Sequence, residues 1–221
     1  MPTDHSIHRC NTLIIGAGIV GIAVAYYLKK YQPQLSVTLI DADQPMALTS
    51  AQSGENYRNW WPHSVMTAFT DHSIDLMEAI ARESNNRIHM TRRGYVLATR
   101  SADPAQLLDE LQTGYGENAE QLIRVHDTNN HRYQPADSAD WQCAPTGVDV
   151  LKHQQLIRHY FPHYDDDIKT LIHIRRAGDI DSQQLGQYML EAFKQAGGQR
   201  ITGQVTAIAE QDGFRVILDN G

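Results

Sequence analysis

Residues 11–41 read NTLIIGAGIVGIAVAYYLKKYQPQLSVTLID, and three local patterns follow one another in that stretch. Residues 11–15 are a short apolar run that stops at Gly16, which suits a buried parallel strand. From Ile19 to Lys30 apolar residues recur at helical spacing, at Ile19, Ile22, Ala23, Tyr26 and Tyr27. Lys29 and Lys30 lie in the last turn, where cations complement the helix dipole, and Pro33 prevents continuation. Residues 35–40 are apolar and β-branched, a second strand. Strand, glycine turn, helix and strand within about 30 residues make a βαβ unit.

Gly16-Ala17-Gly18-Ile19-Val20-Gly21 fits G-x-G-x-x-G between the first strand and the helix. The first glycine makes the tight turn, the second lets backbone approach a pyrophosphate, and the third lets helix pack closely on strand. Free N–H groups at the helix start then face an anion. Asp41 lies 20 residues past Gly21, at the end of the second strand, where its carboxylate can accept hydrogen bonds from ribose hydroxyls. In that context the glycines predict a dinucleotide site. An acid at Asp41 disfavours NADP and leaves NAD and FAD both open.

Working outward, residues 43–61 are polar, small and turn-rich, a long loop. Residues 64–83 predict a helix with Val65, Phe69, Ile74, Leu76, Met77 and Ile80 as core positions. A strand is expected at 94–99 and a helix starting over 104–111. The polar stretch 114–145, with Asn129-Asn130, yields no element. A helix is expected at 151–159 and a strand at 170–174. The helix at 181–195 has Ser182 as cap, Leu185, Tyr188, Met189, Ala192 and Phe193 on its apolar face, and Gly197-Gly198 as its stop. Residues 200–210 and 214–218 read as two strands around Gln211-Asp212-Gly213, a hairpin signal.

Three segments, IIGAGIVGIAVAYYL, LIDAD and LTSAQSGEN, together resemble the D-amino-acid oxidase-like FAD oxidoreductases, the family of glycine oxidase, sarcosine oxidase and dimethylglycine dehydrogenase. The tail GDIDSQQLGQYMLEAFKQAGGQRITGQVTAI is similar to that family's helix and following strand. The resemblance spans both ends of the chain and is loose over roughly residues 100–170. It implies FAD as cofactor and a Rossmann-like α/β FAD-binding domain joined to part of an antiparallel-sheet (α+β) substrate domain. The expected partition is 1–84 for the first FAD-binding segment, 85–175 for the substrate domain and 176–221 for the return. Carried over by position, Ile19 and Val20 offer backbone N–H groups to the pyrophosphate. Asp41, with Ala42 beside it, holds the adenosine ribose. Thr49 and Ser50 match a phosphate-contacting pair, Gly54, Glu55 and Asn56 match the segment passing the isoalloxazine, and Val205 matches a valine whose backbone meets adenine. The pattern departs at Glu55-Asn56-Tyr57-Arg58, where the glycine oxidase branch has small or apolar residues. Family members also run well beyond Asn220-Gly221, so the expectation is the N-terminal part of an enzyme.

The resemblance implies removal of a hydride equivalent from the carbon beside an amine nitrogen, followed by imine hydrolysis, with the cofactor supplying the chemistry. The expected partner is a small amine or amino acid, and the electron acceptor is oxygen or a carrier. Two alternatives stand beside this: another flavoprotein dehydrogenase feeding a quinone or carrier, and a non-catalytic flavin-binding fragment. Arg58 has the planar fork that suits a substrate carboxylate, against a role holding the loop or a flavin phosphate. Tyr57, Trp60 and Trp61 are expected in the core or a domain interface rather than walling a pocket, and Arg92-Arg93 as a solvated pair. His63 is the histidine nearest the loop, with no motif for a covalent flavin link. Asp165-Asp166-Asp167 reads as a solvated turn rather than a metal site, and Pro162 separates His159 from His163.

Composition is ordinary for a folded globular protein. The chain has 221 residues, 41% hydrophobic and 20% charged, with a formal net charge of −7 that makes nucleic acid a poor partner. Eleven histidines temper that charge at mildly acidic pH. Cys10 and Cys143 fit no metal or redox spacing and are expected as small, mostly buried thiols. Residues 1–10 lack the apolar run of a signal peptide, and no stretch approaches the roughly 18 apolar residues of a membrane span, so a cytoplasmic setting is expected.

Overall fold

The computed structural model describes residues 7–128, 132–136 and 141–219. Residues 1–6, Asn129-Asn130 and Asn220-Gly221, on which the readings of the start and end of the chain and of the Asn pair fall, lie outside the described residues. In chain order the elements are β1 (Thr12–Ile15), α1 (Ile19–Tyr31), β2 (Val37–Asp41), β3 (Asn56–Arg58), α2 (Ser64–Glu83), β4 (Tyr95–Thr99), α3 (Ala105–Tyr115), α4 (Ala119–Leu122), β5 (Ile123–His126), β6 (Val148–Leu151), α5 (Gln154–Tyr160), β7 (Thr170–Ile174), β8 (Ala177–Asp179), α6 (Ser182–Gln195), β9 (Gln199–Thr202), β10 (Val205–Glu210) and β11 (Phe214–Leu218). The chain folds as two compact units, Met1–Gly54 with Ser182–Gly221, and Glu55–Asp181. By packing, the chain passes between units at 54/55 and 181/182, whereas the sequence-based partition placed the changes at 84/85 and 175/176.

The first unit contains the expected βαβ unit. Its sheet runs β1-β2-β9, all parallel, with Ile15 opposite Ile40 and Asp41 opposite Thr202. Central β2 is buried from Val37 to Ile40, as its apolar run requires. Strand β1 is less buried than expected: it pairs with β2 on one side among the described residues, and Ile15 is 52% exposed. Helix α1 packs on α6, with Tyr26 and Tyr188 edge to face at 6.4 Å. Lys29 is buried with two of its three ammonium donors used, by the carbonyls of Pro33 at 2.6 Å and Leu35 at 2.9 Å across the turn into β2. The single strand expected at 200–210 is broken at 203–204. Gly203 N–H donates to the Asp41 carbonyl and Gln204 N–H to the Asp219 carboxylate, so β9 joins the parallel sheet and β10 forms a hairpin with β11. Asp212 and Gly213 take positive φ in its turn, which their types tolerate.

The second unit is built on a mixed sheet, β4-β7-β6-β5, antiparallel except for the parallel β5–β6 pair, with β3 and β8 forming a separate antiparallel ribbon. One sheet face is apolar: Val148, Val150, Ile172 and Ile174 pack with Trp60, Leu111 and Tyr115. Helix α2 covers the predicted 64–83, but Val65 and Phe69 are exposed and Ile74 and Ile80 are the buried positions. Strand β3 lies inside the expected loop, and β5 inside the unassigned polar stretch. Strand β6 ends at Leu151, where a helix was expected to begin; that helix, α5, starts at Gln154. Cys10 is half-buried and Cys143 exposed, neither in a disulfide, which corrects the expectation of buried thiols.

Candidate functional site

The β1–α1 turn holds its glycines for three separable reasons. Gly16 has φ +104°, a conformation that side chains disfavour. A Cβ on Gly21 would fall inside contact distance of the Gly16 carbonyl oxygen and touch the Ile14 side chain, so the third glycine sets the approach of α1 to β1. A Cβ on Gly18 would meet a single atom within 4 Å, Ser50 Oγ at 3.3 Å; otherwise the turn is open there. Helix α1 has no side-chain cap of its own, because Gly18 occupies the N-cap.

Distant residues serve the turn's donors instead. Ile19 N–H donates to Ser50 Oγ at 3.0 Å, from the 3-10 turn Thr49–Gln52. Ala17 N–H donates to Asp41 Oδ2 at 2.6 Å, and Asp43 N–H to Asp41 Oδ1 at 2.9 Å. Asp41 therefore stands at the turn, at the carboxyl end of β2. Met46 was not singled out by sequence: it is buried, has φ +63°, and its N–H donates to the Ala17 carbonyl at 2.9 Å. Its thioether fills the place a side chain at Gly186 of α6 would take; a Cβ there would lie 2.8 Å from Met46 Sδ. A methionine in a polar loop carries no periodic signal that would have revealed this.

The sequence-derived residues divide into those brought together and those that are not. Gly16, Gly18, Ile19, Val20, Gly21, Asp41 and Ser50 share the turn. Val20 is exposed, as are Ala42, Thr49 and Gly54. Val205 opens β10, three residues after Thr202, which pairs with Asp41. Glu55 and Asn56 belong to the second unit. Glu55 has φ +59° and its carbonyl accepts Ile180 N–H, and Asn56 pairs with Asp179 in the β3–β8 ribbon. The glycine turn, the start of a helix whose N-cap is itself a glycine and the neighbouring carboxylate fit the pyrophosphate and ribose of a dinucleotide.

In the second unit Arg58 is held between two rings, with Cζ 4.5 Å from the Trp61 centroid and 4.8 Å from that of Tyr95. Its Nε is buried without a hydrogen-bond partner. Trp60 is core, Trp61 is 37% exposed, and Tyr57 donates its hydroxyl to the Thr91 carbonyl. Tyr57's hydroxyl is pushed well above its ordinary range by burial. Arg92 and Arg93 are not a solvated pair. Arg92 is buried, with Glu78 at 3.1 Å and the carbonyls of Pro145 and Arg175 satisfying its guanidinium, while Arg93 pairs with Asp179.

The sheet face opposite the apolar one carries a buried polar network. Asp149 accepts from Arg124 at 2.8 Å and from His126 Nε2 at 2.9 Å, with Arg175 at 3.3 Å. Burial alone would raise the Asp149 carboxyl; the hydrogen bonds from Arg124 and His126 and the two guanidinium charges outweigh it and hold the group below its usual range. His173 Nε2 lies 3.0 Å from the Arg93 carbonyl, which can only accept, so Nε2 carries the proton. Nδ1 then accepts from the Tyr133 hydroxyl at 2.9 Å and from Arg175 at 3.1 Å. Burial, then the nearby Arg175 charge, push His173 down to about 4. The three aspartates at 165–167 are exposed, and Asp166 and Asp167 pair with Arg158 and Arg100. Among the described residues no group of three or more His, Cys, Asp or Glu converges, and no helix is long and apolar enough to cross a membrane.

Residues 11–221 match the family model described as FAD dependent oxidoreductase. No curated protein matches the chain. Among solved structures, L-proline dehydrogenase from P. horikoshii is similar with a TM-score of 0.72 at 14% identity, over 98% of this chain and 50% of that one. Glycine oxidase from Geobacillus kaustophilus is similar with a TM-score of 0.71 at 16% identity, over 97% and 53% respectively. FAD-bound L-alpha-glycerophosphate oxidase from Mycoplasma pneumoniae is similar with a TM-score of 0.66 at 19% identity, over 97% and 51%. At these identities the likeness is one of fold, and the chain spans about half the length of each.

Proposed function

The chain belongs to the FAD dependent oxidoreductase family, and on that premise we propose that it serves oxidation of the carbon–nitrogen bond of a small amine or amino acid. The observation that carries the reading is the glycine turn with Asp41 and Ser50 already gathered on it, in a family whose cofactor is FAD. Two of the three similar structures are named for an amino acid, glycine or proline, which supports the substrate class. Bound FAD supplies the two-electron acceptor.

In this reading the residues of the first unit bind and orient. Backbone N–H groups at Ile19 and Val20, with Thr49 and Ser50, hold the pyrophosphate. Asp41, beside Ala42, accepts from the ribose hydroxyls, and the Val205 backbone meets adenine. Gly54, with Glu55 and Asn56 from the start of the second unit, would line the isoalloxazine. The amine loses a hydride equivalent and a proton to become an imine, which water hydrolyses to a carbonyl compound and the released amine. The domain roles proposed are FAD binding for 1–84 and 176–221 and substrate binding for 85–175. A cytoplasmic setting is part of the same proposal, and the lack of a disulfide at Cys10 and Cys143 is compatible with it.

The test is spectral. The purified chain, supplied with FAD, is expected to show bound-flavin absorption that bleaches anaerobically with one of glycine, sarcosine, proline or their decarboxylated amines. A folded chain that takes up no FAD, or whose flavin bleaches with glycerol phosphate and with none of these, sinks the reading. Reoxidation by air or only by a quinone analogue then separates oxygen from a carrier as acceptor.

A further inference from the structure

The two nitrogens of His173 face unlike surroundings within the second unit. The residue lies on β7, opposite Val96 of β4 and Asp149 of β6. On the Nε2 side the ring rests directly against backbone: a Cβ added to Gly94 would overlap it, and Gly94 has φ +83°. That backbone is fixed in turn. Gly94 N–H donates to the Ala177 carbonyl at 2.9 Å, and the Arg93 carbonyl accepts from Nε2 at 3.0 Å. The imidazole therefore has no room to move in that direction.

The Nδ1 side meets the irregular segment 132–136. Two polar ties hold this segment to the sheet. The Tyr133 hydroxyl donates to Nδ1 at 2.9 Å, and the Gln134 carbonyl accepts from Arg175 Nη1 at 2.7 Å. The same Nη1 donates to Nδ1 at 3.1 Å, so both ties depend on one lone pair. Tyr133 also packs with Leu151, Leu156, Ile157, Ile168 and Leu171.

A proton on Nδ1 removes that lone pair and sets a second cation beside Arg175, where low dielectric makes repulsion strong. Turning the Tyr133 hydroxyl to accept would send its own proton toward Arg175, which offers only donors. Asp149 faces the pair from β6 but is already shared by Arg175 with Arg124 and His126 of β5. The end of α5 contributes only the uncharged ring of Phe161. With the Nε2 side blocked, the strain is relieved on the Nδ1 side.

We propose that residues 132–136 are an acid-released strap: protonation of His173 at Nδ1 breaks both ties and lifts Tyr133 off the sheet, while β7 stays paired with β4 and β6. The closed strap holds His173 near 4, and a released ring returns toward 6.5, so the open form binds the extra proton. Opening is then independent of pH above about 6.5 and grows by up to about tenfold per pH unit as pH falls toward 4.

The test is hydroxyl-radical footprinting of the full chain from about pH 7.5 to about pH 4. Labelling of buried Tyr133 is scaled to exposed Tyr31, and buried Met90 reports on the core of the second unit. Tyr133 labelling is expected to rise below pH 6.5 with that slope while Met90 stays protected. His173→Gln, whose amide can donate to the Arg93 carbonyl and accept from Tyr133, should flatten the profile, and His126→Gln should keep it. A flat wild-type profile, an equal rise in His173→Gln, or a rise lost in His126→Gln overturns the proposal. Met90 becoming labelled in step with Tyr133 also overturns it, because the whole unit is then unfolding. Should His173→Gln not fold, the NMR titration of the His173 ring takes its place, and a midpoint apart from that of Tyr133 labelling overturns the proposal equally.

Discussion

The turn at residues 16–21 and the polar face of the β4-β7-β6-β5 sheet both gather hydrogen-bonding groups, and they do so by opposite means. In the turn the donors are backbone N–H groups, and the residue type needed is glycine, the absence of a side chain. On the sheet face the groups are side chains of Arg124, His126, Asp149, His173 and Arg175, joined to Tyr133 from the segment 132–136. A backbone device is fixed by local spacing and fails when a methyl group is added. A side-chain device depends on long-range register, and fails when one partner leaves the others charged and buried.

The largest effect expected is on the sheet face. Asp149→Ala strands the buried Arg175 and the partly buried Arg124 and should cost about 3–5 kcal/mol in urea unfolding. A loss below 1 kcal/mol would mean that the guanidiniums find water or other partners, and the contrast with the turn would weaken.

Next comes a dependence on pH. His173 is buried and neutral, with its folded value lowered to about 4 from an ordinary 6.5. The unfolded chain then binds one more proton between those values, so this group's contribution is full above about pH 6.5 and is lost as pH falls toward 4. Wild type should lose on the order of 3 kcal/mol more than His173→Gln across that window, read from unfolding midpoints at each pH. Parallel pH profiles for the two proteins would show that His173 is not the group responsible.

The turn should respond differently. Gly21→Ala forces the Gly16 carbonyl away and should weaken FAD about 100-fold, near 2.7 kcal/mol, measured by flavin fluorescence quenching. Gly116→Ala, at φ +55° with open space, should cost about 1 kcal/mol of stability and leave FAD affinity alone. Equal effects of the two on FAD would break the argument that Gly21 acts through close approach. The smallest effect belongs to Ser50→Ala, which removes the external acceptor of Ile19 N–H. It should lower the stability of the FAD-free chain by about 1 kcal/mol and speed amide exchange at Ile19.

The same contrast explains what could be read from the sequence. Gly16, Gly18, Gly21 and Asp41 were legible because turn, helix start and strand end follow from spacing within one βαβ unit. The 64–83 helix was legible from periodicity, although Val65 and Phe69 are exposed, since period alone does not say which arc of a helix meets the core. Strand β3 was hidden in a loop because three residues are too few to alternate visibly. Tyr95 joining Trp61 around Arg58, and Ser50 reaching Ile19, were illegible as contacts because the partners lie 31 to 37 residues apart. The family resemblance named Ser50 for the site, and the geometry shows what it does there.

Met46 has a consequence for chemical ageing. Its side chain is buried beside Gly186 and its backbone is tied to Ala17, so an oxidant reaches the sulfur poorly. Peroxide should therefore modify the exposed Met66 first and reach Met46 only when the first unit opens. Once formed, that sulfoxide would keep the loop from reseating against the turn, converting a passing fluctuation into a lasting chemical mark.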